Sequence, residues 1–362
     1  MANSADIETG PADNPDLIGH QAAETAFLDT LGAGRLPHAW LLAGPRGVGK
    51  ATLAFRIARF LLAGGSAEGD LFGGGPDSLY LDPEDPVFHR VAGGAHGDLV
   101  VIERQENPRT GKLRGEIVID QVRALGRFFA LTSAEGGWRI AIVDGADEMN
   151  VNAANALLKV LEEPPPNCLL LLPAHAPGRL LPTIRSRCRL LSLRPLADAQ
   201  VAEVLARRLP ELDDGERLGL ARLAEGSPGR AVALAAQGGL ETYGELIALL
   251  RDLPRLDYAA VHGLGDRLAR ANGEAAYRVW IDLLALWLTR LVRGRALPGG
   301  LDDAVTGEAE LAGRLTAGGG LDRWVELWEK VGRLAARADS VNLDRKQVVL
   351  NAVMALENTA RQ

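Results

Sequence analysis

The run Gly44-Pro45-Arg46-Gly47-Val48-Gly49-Lys50 constrains this chain more than any other stretch of it. It follows a short apolar, strand-like segment, His38 to Ala43. It precedes Ala51 to Leu62, where Ala, Leu, Phe and Ile recur on a helical period. Glycines between a strand and a helix let backbone N–H groups face an anion without Cβ clashes. The lysine adds positive charge and the helix N-terminus adds its dipole. The candidate nucleotide-binding residues are therefore Gly44, Pro45, Arg46, Gly47, Val48, Gly49, Lys50, Ala51 and Thr52. One position departs from the pattern. The residue after the lysine is usually Ser or Thr, whose hydroxyl holds Mg²⁺; here it is Ala51. Thr52 cannot simply substitute, because one residue turns a side chain by about 100° around a helix. The loop suits ATP or ADP phosphates, with Mg²⁺ held weakly or not at all.

Further strands are expected at Asp98 to Glu103, Arg139 to Val143, Leu169 to Leu172 and Arg189 to Leu193. Helices are expected at Gln21 to Leu31, Ile119 to Leu131 and Asn152 to Glu162, the last stopped by Pro164-Pro165-Pro166. Alternating strands and helices specify an α/β fold with a parallel five-stranded sheet covered on both faces. The third strand ends at Asp144, the position of a Walker B acid that helps place a metal. Motor ATPases usually carry Glu next; this chain carries Gly145, and Asp147 and Glu148 begin the following segment. Met1 to Asp16 reads as a flexible arm. Gly64 to Gly97, rich in Gly, Pro and Asp, reads as an irregular insertion.

After Arg194-Pro195 the pattern is helical to the end. Three short segments, Asp198 to Arg208, Gly215 to Ala224 and Gly229 to Ala236, precede longer amphipathic stretches such as Glu274 to Val292 and Leu321 to Ala338. The net charge of −7 disfavours stand-alone nucleic-acid binding, which needs concentrated Lys and Arg. Two cysteines, Cys168 and Cys188, exclude a disulfide framework and a four-Cys metal site. No stretch reaches 18 uninterrupted apolar residues, so no membrane span is expected. The start, Met1 to Pro15, lacks an apolar signal core, and the expected compartment is cytoplasmic.

Two segments carry a family resemblance. Asn155-Ala156-Leu157-Leu158-Lys159-Val160-Leu161-Glu162-Glu163-Pro164-Pro165 and Leu180-Leu181-Pro182-Thr183-Ile184-Arg185-Ser186-Arg187-Cys188 resemble the gamma/tau and delta-prime subunits of the DNA polymerase III clamp loader. The resemblance implies an AAA+ fold: a RecA-like P-loop domain over 1–195, a three-helix lid over 196–239 and an all-α collar over 240–362. It implies that Arg187, in the Ser-Arg-Cys motif, is an arginine finger that reaches a neighbouring subunit's nucleotide. Arginine suits that role because its planar fork matches phosphate oxygens and stays ionised. It also implies partners: gamma/tau and delta subunits, with the sliding clamp and primer-template DNA met through the complex.

This sequence departs from the family at several points. The Cys-rich zinc module of many relatives has no counterpart in 64–97, so no zinc is expected. The sensor threonine is missing, and Ala174 and His175 stand at that strand end; His175 is either a phosphate contact or a loop histidine without a ligand. Arg230 lies one residue from the second sensor position and reads as that sensor or as a lid-surface arginine. Two functions follow. One is a delta-prime-like interaction subunit that donates Arg187 and turns over little ATP itself. The alternative is a competent gamma/tau-type ATPase, against which Ala51 and Gly145 argue.

Overall fold

The computed structural model describes residues 10–65, 76–108, 111–270, 272–296, 300–341 and 344–362. The chain divides into two compact units. One is Met1–Gln200 with Ser227–Gly229; the other is Val201–Gly226 with Arg230–Gln362. The residues expected to form lid and collar lie in the second unit, apart from 196–200 and Ser227–Gly229.

The first unit runs α1 (Gln21–Gly32), β1 (Ala39–Ala43), α2 (Lys50–Leu62), α3 (Pro86–Ala92), β2 (Leu99–Ile102), α4 (Ile119–Ala130), β3 (Arg139–Val143), α5 (Val151–Glu162), β4 (Cys168–Ala174), α6 (Pro182–Arg185) and β5 (Arg189–Ser192). The strands form one parallel sheet in the order β2-β3-β4-β1-β5. Side chains of successive strand residues point to opposite faces, so an apolar run feeds two cores at once. Trp40 and Leu42 of β1, Ile140 and Ile142 of β3, and Leu169 and Leu171 of β4 pack with Phe27 of α1, Leu53 and Ile57 of α2 and Val91 of α3. The alternate residues, Leu41, Ala141, Val143, Leu170 and Leu172, pack with Val122, Leu125 and Phe129 of α4 and Leu157 of α5. Each fully buried Leu or Ile contributes about 1.5–3 kcal/mol to holding a helix on its face.

Two expectations from the sequence need correction. The arm is not free over its described part, residues 10–16. Arg59 of α2 donates to Ala12 O and Asn14 O, each at 2.8 Å, and Arg56 donates to Pro15 O at 2.6 Å. Arg56 is itself held by buried Glu24 of α1 at 2.9 Å. Residues 1–9 lie outside the described residues. The stretch 64–97 is not irregular throughout, although 66–75 also lie outside the described residues. Asp85 caps α3 by accepting from Val87 N, with Pro86 at the first helical position, and Val87, Phe88 and Val91 are buried. Seven residues are too few for a periodic signal to stand out from the surrounding glycines and prolines.

The second unit is helical among its described residues: α7 (Asp198–Arg208) and α9 (Pro228–Ala236), both of which begin in the first unit, with α8 (Asp214–Ala224), α10 (Gly239–Leu250), α11 (Tyr258–Ala269), α12 (Glu274–Ala296), α13 (Glu308–Thr316), α14 (Leu321–Val341) and α15 (Arg345–Arg361). Its core holds Trp280 and Trp287 of α12 and Trp324 of α14. The Trp287 and Trp324 rings meet edge to face with centroids 6.4 Å apart. No helix among the described residues is long and apolar enough to cross a membrane.

Candidate functional site

All strands of the sheet are parallel, so their C-terminal ends open on one rim, where α/β proteins place ligands. Ala43 leads into the phosphate loop, Val143 into Asp144, Ala174 into His175 and Ile102 into Glu103 and Arg104. The loop reaches α2 through Gly49, whose φ of 113° is unfavourable for any residue with a Cβ.

Each loop carbonyl from Gly44 to Val48 accepts a hydrogen bond. Lys50 Nζ donates to Gly44 O at 2.8 Å and to Pro45 O at 2.5 Å. Ser227 Oγ donates to Arg46 O at 2.8 Å, and Gly229 N to Gly47 O at 2.9 Å. His20 Nε2 lies 2.7 Å from Val48 O. A carbonyl only accepts, so this nitrogen carries the ring proton. Burial lowers the His20 pKa, which keeps the ring neutral in that tautomer. Gly44 N and Val48 N donate to Ala174 O and Pro45 O, so the N–H groups of Arg46, Gly47 and Gly49 and the α2 N-terminus form the polar edge that can face an anion. The residues present therefore fit a nucleotide's phosphates. The same site lacks a hydroxyl for Mg²⁺, because position 51 is alanine.

Gly229 is required by space. A Cβ at this position would stand 2.9 Å from Gly47 Cα, a backbone atom that cannot swing aside. Gly229→Ala is expected to cost about 1–3 kcal/mol of stability through this overpacking and to weaken phosphate binding. A denaturant melt checks the first effect and titration with ADP the second. An unchanged melt would show that the loop and the segment 227–229 separate freely.

The charged groups of the rim influence one another. Lys50 is buried, and desolvation lowers its pKa to about 8 against the opposing pull of Asp144 and Asp147. Burial raises the Asp144 pKa, Glu103 adds to the rise, and Lys50 opposes it. For Asp147 burial is outweighed by hydrogen bonds from His175 N and Ala176 N, both 2.9 Å, so its pKa is lowered. His175 is kept neutral by burial and by the neighbouring Lys50 charge. Glu148 pairs with Arg46 of the loop and with Arg104 Nε at 2.7 Å. The structure brings Arg46, Asp144 and His175 to one cavity.

The other candidates lie elsewhere. Arg187 sits between α6 and β5, at the N-terminal end of β5. It donates to Thr183 O at 3.0 Å and pairs with Glu162, at the end of α5, at 3.1 Å. β5 lies beside β1 in parallel, with Trp40 opposite Arg189 and Ala43 opposite Ser192. The strand, Arg189 to Ser192, therefore carries the chain about 10 Å from the Arg187 end toward the phosphate-loop rim, at about 3.3 Å per residue. Arg230 belongs to the second unit and pairs there with Glu225 at 3.2 Å. Burial pushes the Cys188 thiol up to about 12, which makes it unreactive at neutral pH.

His20, Arg104, Glu148, Ser227 and Gly229 are the site residues the motifs did not single out as partners of the loop. Nothing local to His20 or Arg104 marks them, since their contacts span 28 and 44 positions of sequence.

Comparison with known proteins gives a consistent picture. A family model described as DNA polymerase III, delta subunit, matches residues 19–197. DNA polymerase III subunit delta' of Pseudomonas aeruginosa is 38% identical over 257 residues, 71% of this chain and 72% of that protein. The Escherichia coli subunit delta' is 31% identical over 212 residues, 56% of this chain and 55% of that protein. The gamma/tau subunit of Mycobacterium tuberculosis is 27% identical over 274 residues, 74% of this chain but 44% of that protein.

Proposed function

Because this chain belongs to the delta' subunit family of DNA polymerase III, we propose that it is the clamp-loader subunit that donates Arg187 to a neighbour's ATP while turning over little nucleotide itself. The observation that carries this reading is the separation of donor and acceptor within one chain. Arg187 lies at the N-terminal end of β5, and the phosphate loop follows the C-terminal end of the parallel strand beside it. An arginine across the length of a strand cannot stabilise charge on its own chain's γ-phosphate. In this reading it serves a nucleotide held by another subunit, of gamma/tau type. The Glu162 carboxylate would hold its guanidinium until a phosphate replaces it.

The chain's own loop binds phosphate without efficient turnover in this reading. Gly44 to Gly49 and Lys50 would hold ADP or ATP, and Ala51 and Gly145 leave the metal and the attacking water without their usual protein groups. The sliding clamp and primer-template DNA are reached through the assembled ring, in keeping with the negative charge of this chain. The 196–239 segment would act as lid and 240–362 as collar.

Isothermal titration of the purified protein with ADP tests the loop. Binding is expected in the wild type and its loss in Lys50→Ala. ATP turnover by the isolated wild type at the rate of a motor subunit would overturn the division of labour. The pH dependence has a definite sign. Charged Lys50 is the binding form and titrates near 8 in the free protein. ADP affinity should be flat below pH 7 and fall by up to about tenfold per pH unit above 8, as the bound phosphates must restore the proton. Affinity that rises between pH 7 and 9 would exclude Lys50 as the phosphate contact.

A further inference from the structure

The cationic corner beside the phosphate loop is closed by a side chain of the protein itself. Glu148 ends the short 3-10 turn after Gly145, and its backbone is pinned. Its N–H donates to Gly145 O at 2.8 Å, and its carbonyl accepts from Ile117 N at 2.9 Å. The preceding Asp147 ties the same turn to the end of β4 through His175 N and Ala176 N. From this fixed point the Glu148 side chain folds back over Gly145. A Cβ at position 145 would stand 2.8 Å from Glu148 Oε2. Glu148 therefore fills the space where the side chain of a strand-end glutamate would begin. Its oxygens are engaged, Oε1 by Arg46 and Oε2 by Arg104 Nε at 2.7 Å. A carboxylate spanning two guanidinium groups is poorly suited to act as a base. The three side chains line a cavity of about 280 Å³ together with Asp144 and His175.

We propose that Glu148 is an internal anion that holds Arg46 and Arg104 in place of a nucleotide's third phosphate, so that the site prefers a nucleoside diphosphate to a triphosphate. The inference rests on the reading that this loop binds nucleotide. Guanidinium forks pair with carboxylate and phosphate oxygens alike, so Glu148 and a phosphate group compete for the same donors. A diphosphate can be held by the loop N–H groups and Lys50 and leaves the Arg–Glu–Arg set intact. A third phosphate must either stand beside the Glu148 carboxylate, charge against like charge, or take Arg46 from it. Arg46 is the end able to move, with its side chain 66% exposed against 14% for Glu148. Solvent screening at that exposed end limits the discrimination to a few-fold.

The test is titration of the full-length protein with ADP and with a non-hydrolysable ATP analogue, comparing wild type with Glu148→Gln, Arg46→Gln and the double variant. The wild type should bind the diphosphate about three- to fivefold more tightly. Glu148→Gln should remove that preference by tightening the triphosphate alone. In the Arg46→Gln background the same change should move the ratio less than in the wild type, because the more mobile of the two shared donors is gone. If both nucleotides bind and Glu148→Gln leaves their ratio as in the wild type, or if the two substitutions act additively, the internal-anion role is wrong while the nucleotide site stands. If neither nucleotide binds wild type or variant, the nucleotide reading falls and takes the inference with it. Should Glu148→Gln melt below the assay temperature, Arg46→Gln decides alone: it must weaken the triphosphate more than the diphosphate, and equal weakening overturns the proposal.

Discussion

Arg187→Ala is expected to cut ATP turnover at the facing site of a reconstituted clamp loader by on the order of 10³-fold. The same substitution should lower this chain's own stability by less than about 1 kcal/mol, because the pair it breaks is partly exposed and screened. Arg187 and Glu162 are 37% and 51% exposed in their side chains. The two magnitudes together distinguish a finger from a structural brace. A brace would lower stability and turnover in proportion, whereas a finger costs turnover alone. Arg187→Lys sharpens the contrast, since lysine keeps the charge but loses the fork and should rescue little. The measurement needs a ring whose remaining ATP sites carry inactivated phosphate loops, so that one site is read at a time. Turnover at that site within twofold of the wild type would exclude Arg187 from it.

The largest effect on stability is expected from Glu308, in the second unit. Its side chain is fully buried. It accepts from Tyr243 Oη at 2.5 Å, from Arg290 Nε at 2.7 Å and Nη2 at 3.0 Å, and from Ala304 N at 2.8 Å. Arg290 in turn donates to Asp302 O at 2.8 Å and Arg222 O at 3.2 Å, so this one carboxylate organises α10, α12, α13 and the approach to α13. Glu308→Ala leaves a buried guanidinium without its counter-charge and should cost about 3–5 kcal/mol. Tyr243→Phe removes one hydrogen bond and leaves the ion pair, and should cost about 1 kcal/mol. Urea melts of the two variants, compared at constant slope, read the difference. Equal costs would mean that the charge pair adds nothing beyond its hydrogen bonds.

Much of this molecule was legible in its residues. The strands at Arg139–Val143 and Arg189–Ser192 and the helix at Asp198–Arg208 lie where apolar runs and periodicity put them, because those signals are local. The phosphate loop was legible for the same reason: seven adjacent residues carry its geometry. α3 was hidden by its length, and the anchoring of residues 10–16 by its dependence on Arg56 and Arg59 more than forty positions away.

The sequence by itself determined the parallel α/β frame, the phosphate loop, the missing hydroxyl at Ala51 and the Ser186-Arg187-Cys188 motif. Only the tertiary structure decided how these parts face one another. It set Arg187 and the phosphate loop at opposite ends of adjacent parallel strands, and it supplied the loop's carbonyl donors from His20, Ser227 and Gly229. It also folded Glu148 into the space over Gly145, between Arg46 and Arg104. The physical reason is range. Backbone propensity and hydrophobic period act over a few residues and can be read in order. A charge or a hydrogen-bond donor finds its partner by proximity in space, which strand order and register create only when the chain is folded.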